Sequence, residues 1–180
     1  MESSQAILTK AKTQGFALGA FNAGNLELVK AVVEAAKSQQ SSVIIETSAG
    51  EIQHFGMKNF LGVVENFRQE TGLTILTNFD HGPGLEECQK AIEAGYNLVH
   101  FDGSKLPFEE NVKITRVLVE QAHQKGVLIE GEIDRILGNS APHPRQDAES
   151  VQASVNYTDP QKAADFVAQT GVDLLAFFVG

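Results

Sequence analysis

The feature that most constrains this chain is an alternation repeated along almost its whole length, in which a short apolar run gives way to a segment with helical periodicity. Phe16 to Phe21 reads as a first strand, and from Asn25 the spacing of Leu26, Val29, Val32, Val33 and Ala36 predicts a helix fading near Gln40. Val43, Ile44 and Ile45 form a second strand, followed by a helix carried by Phe60, Leu61, Val64 and Phe67 and closed at Gly72. Leu73, Ile75 and Leu76 run as a third strand into TNFDHG at 77–82, and LEECQKAIEAG is a helix ended by Gly95. NLVHF is strand four. Pro107, with Glu109 and Glu110 in the first turn, then starts a helix with the apolar face Ile114, Val117, Leu118 and Ala122, stopping at Gly126. VLIEGEI is strand five, and DLLAFF is strand six after a helix that Thr158 and Gln161 open as a capping box and Gly171 ends. The stretch 134–157 shows neither period and is too long for an ordinary connection, which predicts a functional loop.

Runs that look apolar on both faces and alternate with helices belong to a parallel sheet of βαβ units, so the class is α/β. A chain of 180 residues, 42% of them hydrophobic, fits one domain with a full core. Two architectures suit the pattern, an open doubly wound sheet and a barrel, and both place chemistry at the carboxyl ends of the strands. Those ends read Asn22; Glu46, Thr47 and Ser48; Asp80 and His81; Asp102 and Ser104; Glu130 and Glu132. An open sheet gathers ligand groups at one switch point, whereas polar groups on nearly every strand suit a ring converging on one axis. The expected fold is therefore a TIM-type (β/α)8 barrel with about six of the eight βα units present in this chain.

Charge narrows the partners. A net charge of -9 with no block of lysines or arginines argues against a nucleic-acid or anionic-membrane surface. No run approaches the length needed to span a bilayer, and nothing near the N-terminus pairs a basic segment with an apolar stretch and a cleavage site, so a cytoplasmic protein is expected. The single cysteine, Cys88, excludes an intrachain disulfide and reads as a helix residue packed on the sheet.

Single polar residues after strands are common turn formers. An Asp, a His and a Glu at one end of one sheet nonetheless make a divalent-metal site with oxygen and nitrogen ligands. Glu130 and Glu132 share a strand face, one of them free to pair with a lysine. His100 stands two residues deeper than Asp102 on its strand, about 6 to 7 Å, and is expected in the core and not as a co-ligand. His123 falls in the last turn of a helix, where it favours the dipole, and His54 and His143 lie in poorly patterned segments.

AFNAGNLELVKAVVEAA, VIIETSAG, FDHG with CQKAIEAGY, FDGSKLPFEENVKIT, GVLIEGEI and YTDPQKAADFVAQTGVDLLAF together resemble the metal-dependent class II fructose- or tagatose-bisphosphate aldolases. The resemblance covers nearly the whole chain. By position it makes Asp80 the catalytic acid/base and His81 a ligand of a catalytic zinc, Zn2+. It places Asp102 and Glu132 where the family holds metal in alternative or second-cation states, Ser48 at a substrate-contacting position and Asn22 in a matching strand-end motif. The implied reaction is reversible retro-aldol cleavage of a ketose 1,6-bisphosphate to glycerone phosphate and glyceraldehyde 3-phosphate, in a homodimer or homotetramer.

In that chemistry a metal polarises the ketose carbonyl while an acid moves the hydroxyl proton, and no Schiff-base lysine is needed. No lysine lies inside any of the six apolar runs. The chain departs from the family at Asn78, where a histidine is usual, and at Asp134, where a glycine is usual. Further zinc histidines and glycine-rich phosphate loops are implied beyond Gly180, so residues 1–180 alone are expected to form an open ring with exposed strand edges and little turnover. A metal-dependent barrel hydrolase using the same Asp, His and Glu, and a non-catalytic binding or assembly module, remain as alternative functions.

Overall fold

A computed structural model describes residues 2–134 and 157–178. Its elements are α1 (Ser4–Gln14), β1 (Gly19–Asn22), α2 (Leu26–Gln39), β2 (Val43–Ser48), α3 (Ala49–Phe55), α4 (Met57–Thr71), β3 (Ile75–Gly82), α5 (Leu85–Ala94), β4 (Leu98–Asp102), α6 (Phe108–His123), β5 (Leu128–Glu132), α7 (Pro160–Thr170) and β6 (Leu174–Ala176). All six expected strands form. The loop anticipated over 134–157 lies, apart from its two end residues, outside the described residues, as does His143.

Every strand pair is parallel, and the spatial order β1-β2-β3-β4-β5-β6 equals the chain order. A doubly wound sheet reverses its strand order partway, because only then do right-handed crossovers lay helices on both faces. With no reversal all crossovers fall on one side and the sheet curls towards the other, giving a half-barrel. The barrel expectation is met.

Side chains alternate across this curled sheet, and the two faces carry different chemistry. Outward residues such as Val43, Ile45, Ile75, Phe79, Val99, Phe101 and Ile129 pack against the helices together with Val29, Val33, Phe60, Val64, Leu118 and Phe166. The concave face is layered. Ile44, Leu76, Leu98 and Leu128 form an apolar floor, sealed from below by Ile7 of α1. Two residues further along each strand stand Glu46, Asn78, His100 and Glu130, and two further Ser48, Asp80, Asp102 and Glu132. The strands are thus apolar on both faces only at their amino ends.

Several elements differ from the sequence expectation. α1 precedes the first strand, and Phe16 to Leu18 form its approach and not part of β1. α3 is a separate helix capped by Ser48, whose side chain accepts from the Glu51 backbone while Glu51 reaches back to the Ser48 backbone; His54 belongs to it. Asp159, not Thr158, caps α7 by accepting from the Gln161 amide at 2.8 Å. Thr158 instead accepts from the Phe178 amide at 2.8 Å, tying the entry of α7 to the exit of β6. His123 pairs with Asp173 at 2.9 Å. No described helix is long and apolar enough to cross a membrane.

Candidate active site

Adjacent residues of a strand point to opposite faces, so Asp80 and His81 should not share a site. They do because β3 is bulged. Phe79 pairs with Val99 and Gly82 with Phe101, so three steps on β3 match two on β4 and β3 carries one extra residue. His81 absorbs it with φ +50, a left-handed conformation uncommon for a residue with a side chain. Gly82 follows where a Cβ would collide with Cys88 Sγ and crowd the His100 carbonyl, so the bulge is held tightly between α5 and β4. The strain sits where it turns an imidazole back towards the aspartate.

Asp80 Oδ1 lies 2.7 Å from His81 Nδ1 and 3.4 Å from His100 Nδ1. On the other edge of the two rings, Glu132 Oε2 lies 3.1 Å from His100 Nε2 and 3.6 Å from His81 Nε2. The ring centroids are 4.4 Å apart. Two imidazoles are therefore clamped between two carboxylates. His100 is buried, with a side chain 5% exposed, whereas the His81 side chain is 56% exposed at the mouth. A cavity of about 270 Å3 opens here, lined by Glu46, Asp80, His81, His100, Glu130, Glu132 and Asp134 with Ala176 to Phe178.

Electrostatics follow from this clamp. Burial alone would raise the Asp80 carboxyl, but hydrogen bonds from His100, His81 and Asn22 outweigh it and hold it far below the usual carboxylate range. Burial alone would lower the His100 imidazole, yet its bonds to Asp80 and Glu132 push it up to about 10. His81 is raised by its bond to Asp80, against burial. One layer deeper, burial pushes up Glu46, although the Asn78 amide donates to it at 2.8 Å, and also Glu130.

The expectation that His100 belongs to the core alone is corrected by the stagger between strands. The β3–β4 register sets Asn78 level with Leu98, which lifts His100 to the level of Asp80. Depth along one strand does not reveal that offset. Asp102, level with Glu132, turns to its own loop: it accepts from Ser104 N at 3.1 Å and Ser104 Oγ at 2.5 Å, with Lys105 Nζ at 3.9 Å. Burial would raise its carboxyl, and these partners lower it. Among the described residues no lysine pairs with either glutamate of β5; Lys162 bonds Asp134 at 2.6 Å and the Ile133 carbonyl.

Asn22 and Ser48 join the site from the other flank. Asn22 Nδ2 donates to Asp80 Oδ2 at 3.0 Å and to Glu51 Oε2 at 3.4 Å, and Ser48 Oγ donates to Glu51 Oε2 at 2.8 Å. Behind Glu132, the buried Asn111 donates to its carbonyl at 2.8 Å and occupies the space a Cβ on Gly103 would need, which gives the PFEEN segment a physical role. Glu51 and Asn111 were not among the expected residues; S-x-x-E at 48–51, a capping-box spacing, was the legible signal for the first.

Residues 2–180 match the family described as Fructose-bisphosphate aldolase class-II. The chain belongs to that family. It is 35% identical to fructose-bisphosphate aldolase of Staphylococcus aureus (strain Mu50 / ATCC 700699) over 181 residues, covering 99% of this chain and 61% of the relative. It is 37% identical to the probable fructose-bisphosphate aldolase of Bacillus subtilis (strain 168), covering 97% and 60%. The crystal structure of the YdjI aldolase from Escherichia coli K12 superposes with a TM-score of 0.82 at 28% identity, over all of this chain and 61% of that one. The chain thus spans about three-fifths of the length of these family members.

The metal implied by the family can be tested against the donor set. One ligand atom each from Asp80, His81 and His100 lie within 4.8 Å of one another; on the opposite edge Glu132 Oε2 stands 3.6 Å and 3.1 Å from the two Nε2 atoms, close to the roughly 3 to 4 Å that separates ligands about 2 Å from a shared centre. The Nδ1 edge of both rings faces Asp80 and the Nε2 edge faces Glu132. A carboxylate fixing Nδ1 leaves Nε2 to a metal in many histidine sites. The residues fit a divalent ion.

Proposed function

We infer that this chain supplies the metal-holding and proton-moving half of an aldolase active site that cleaves a ketose phosphate reversibly between two carbons. The family points to the 1,6-bisphosphates of fructose and tagatose as the first substrates to try. The observation that carries the reading is the pair of imidazoles clamped between Asp80 and Glu132 at the carboxyl ends of parallel strands. His81, His100 and Glu132 would hold the metal, taken to be zinc, with Asp102, level with Glu132 on the neighbouring strand, left for a second cation. When bound it would act as a Lewis acid on the ketose carbonyl.

The chain's own residues do the rest. Asp80 keeps its carboxylate ionised, so it is ready to take the proton from the hydroxyl on the carbon that becomes the aldehyde, and to return it in condensation. Oδ1 of Asp80 orients the imidazoles; Oδ2, held by Asn22, faces the other flank and is the proton acceptor. Glu132 is kept in place by Asn111 through its backbone.

The test is hydrogen exchange and cleavage in the same protein. Zinc-loaded chain should exchange a carbon-bound proton of glycerone phosphate with deuterium and, at the low turnover expected of residues 1–180 alone, release glycerone phosphate from a ketose phosphate. A chelator should abolish both and borohydride neither. Borohydride inactivation with no chelator effect would point to an imine and overturn the reading.

A further inference from the structure

We propose that Asn111 is a positioning residue of the metal centre: by locking the exits of β4 and β5 to one another it sets how tightly the site holds its divalent ion, although it does not line the cavity. This rests on the aldolase reading and deepens it, assigning part of the metal affinity to a residue of α6.

Asparagine is a weak helix former because its amide competes with the backbone. One that is only 2% exposed at the start of α6 must find partners for both ends of that amide. It does. Nδ2 donates to the Glu132 carbonyl at 2.8 Å, and Oδ1 accepts from the buried Thr115 hydroxyl at 3.0 Å. A carbonyl can only accept, which fixes the amide in this orientation. The same side chain fills the space in front of Gly103, where a Cβ would overlap the amide. Gly103 directly follows Asp102, so one side chain bears on the exits of both strands. Asp102 and Glu132 are a ladder pair, and Glu132 is also the last residue of β5 to pair with β6, through Ala176. Among the described residues the ladder of β5 ends there, and the Asn111 bond is the next constraint.

Glu132 is where such a constraint counts. Its Oε2 stands 3.1 Å from His100 Nε2 and 3.6 Å from His81 Nε2, while Asp80 holds both rings from their other edge. A turn of the peptide after Glu132 would swing its carboxylate against two rings that do not move with it. Metal constellations work only within about 0.5 Å of their geometry, and groups that orient a ligand without touching the ion contribute about 10- to 100-fold in affinity. In this chain the link runs through the backbone of the ligand and not through its side chain.

Zinc affinity of the full chain is read by competition with a chromophoric chelator, and stability by thermal unfolding of the metal-free protein. Asn111→Ala should weaken zinc by about 10- to 100-fold. In a Glu132→Ala background, which retains both imidazoles and the Glu132 carbonyl position, the same substitution should change affinity less than about twofold, because the ligand that it positions is gone. Gly103→Ala/Asn111→Ala puts a methyl group into the vacated space, so it should recover melting temperature but not zinc affinity, and it serves if Asn111→Ala does not fold. A role in helix packing alone gives the opposite: affinity returns with the melting temperature, or the loss is as large without the Glu132 carboxylate. Either result overturns the proposal, as does wild-type affinity in a folded Asn111→Ala protein or failure of both variants to fold. A wild-type chain that binds zinc but neither exchanges nor cleaves would overturn the aldolase reading alone; one that binds no zinc would overturn both.

Discussion

Four side chains divide the work at the residue scale, and their hydrogen bonds separate holding from proton transfer. His100→Ala and His81→Ala remove imidazoles that face Glu132, so each should lower zinc affinity by at least about tenfold, the scale on which even the indirect partners of a metal act. Metal analysis after dialysis against a weak chelator measures this. Asp80→Asn should instead keep stoichiometric zinc at saturating metal and lose about 10²- to 10⁴-fold in exchange and cleavage, the usual contribution of a positioned acid or base. A full metal complement in His100→Ala would return that residue to the core. The sequence already marked Asp80, His81 and Glu132, because each ends an apolar run. It concealed His100 because the stagger of β3 against β4 is a property of two strands and leaves no trace in either.

Packing fixes the same site from outside at the scale of elements. Cys88 of α5 is buried against Gly82, and burial pushes its thiol up to about 12, so the reactive thiolate is scarce at neutral pH. A thiol reagent should therefore label the folded protein negligibly and label fully once denaturant unfolds α5 from β3; rapid labelling in native buffer would show that the bulge around His81 is loosely held. Gly131→Ala in β5 would place a Cβ 2.7 Å from the Phe166 ring of α7 and should cost about 1 to 3 kcal/mol in a denaturation curve. Strands and long helices were legible because their apolar period is set by what they bury. α3 buries none of its residues and α1 only Ser4, Ile7 and Ala11, so neither writes a strong period, and the only mark of α3 is its cap.

For the whole molecule, the sheet curls with β1 and β6 as its flanking strands among the described residues. Beside β1 an apolar cavity of about 420 Å3 is lined by Phe21, Ala31, Val32, Ala35 and Val43, and Phe21 is 51% exposed. Residues 1–180 expressed alone should therefore self-associate in a concentration-dependent way, seen by light scattering on a sizing column. A monodisperse monomer at high concentration would contradict this. Sheet topology, by contrast, was only half legible: alternation specified parallel βαβ units, but the choice between a ring and a doubly wound sheet depends on where each strand lies in space, and only polar residues at successive strand ends hinted at it.

The layering of the concave face has one more consequence. Ile44, Leu76, Leu98 and Leu128 stand two residues below the polar tier and four below Ser48, Asp80, Asp102 and Glu132, roughly 13 Å along each strand. Foundations and workings occupy different storeys. Over that distance the free-energy effects of substitutions usually add independently, so a lineage of such chains can exchange residues of the upper tier while the apolar floor that shapes the sheet stays as it is.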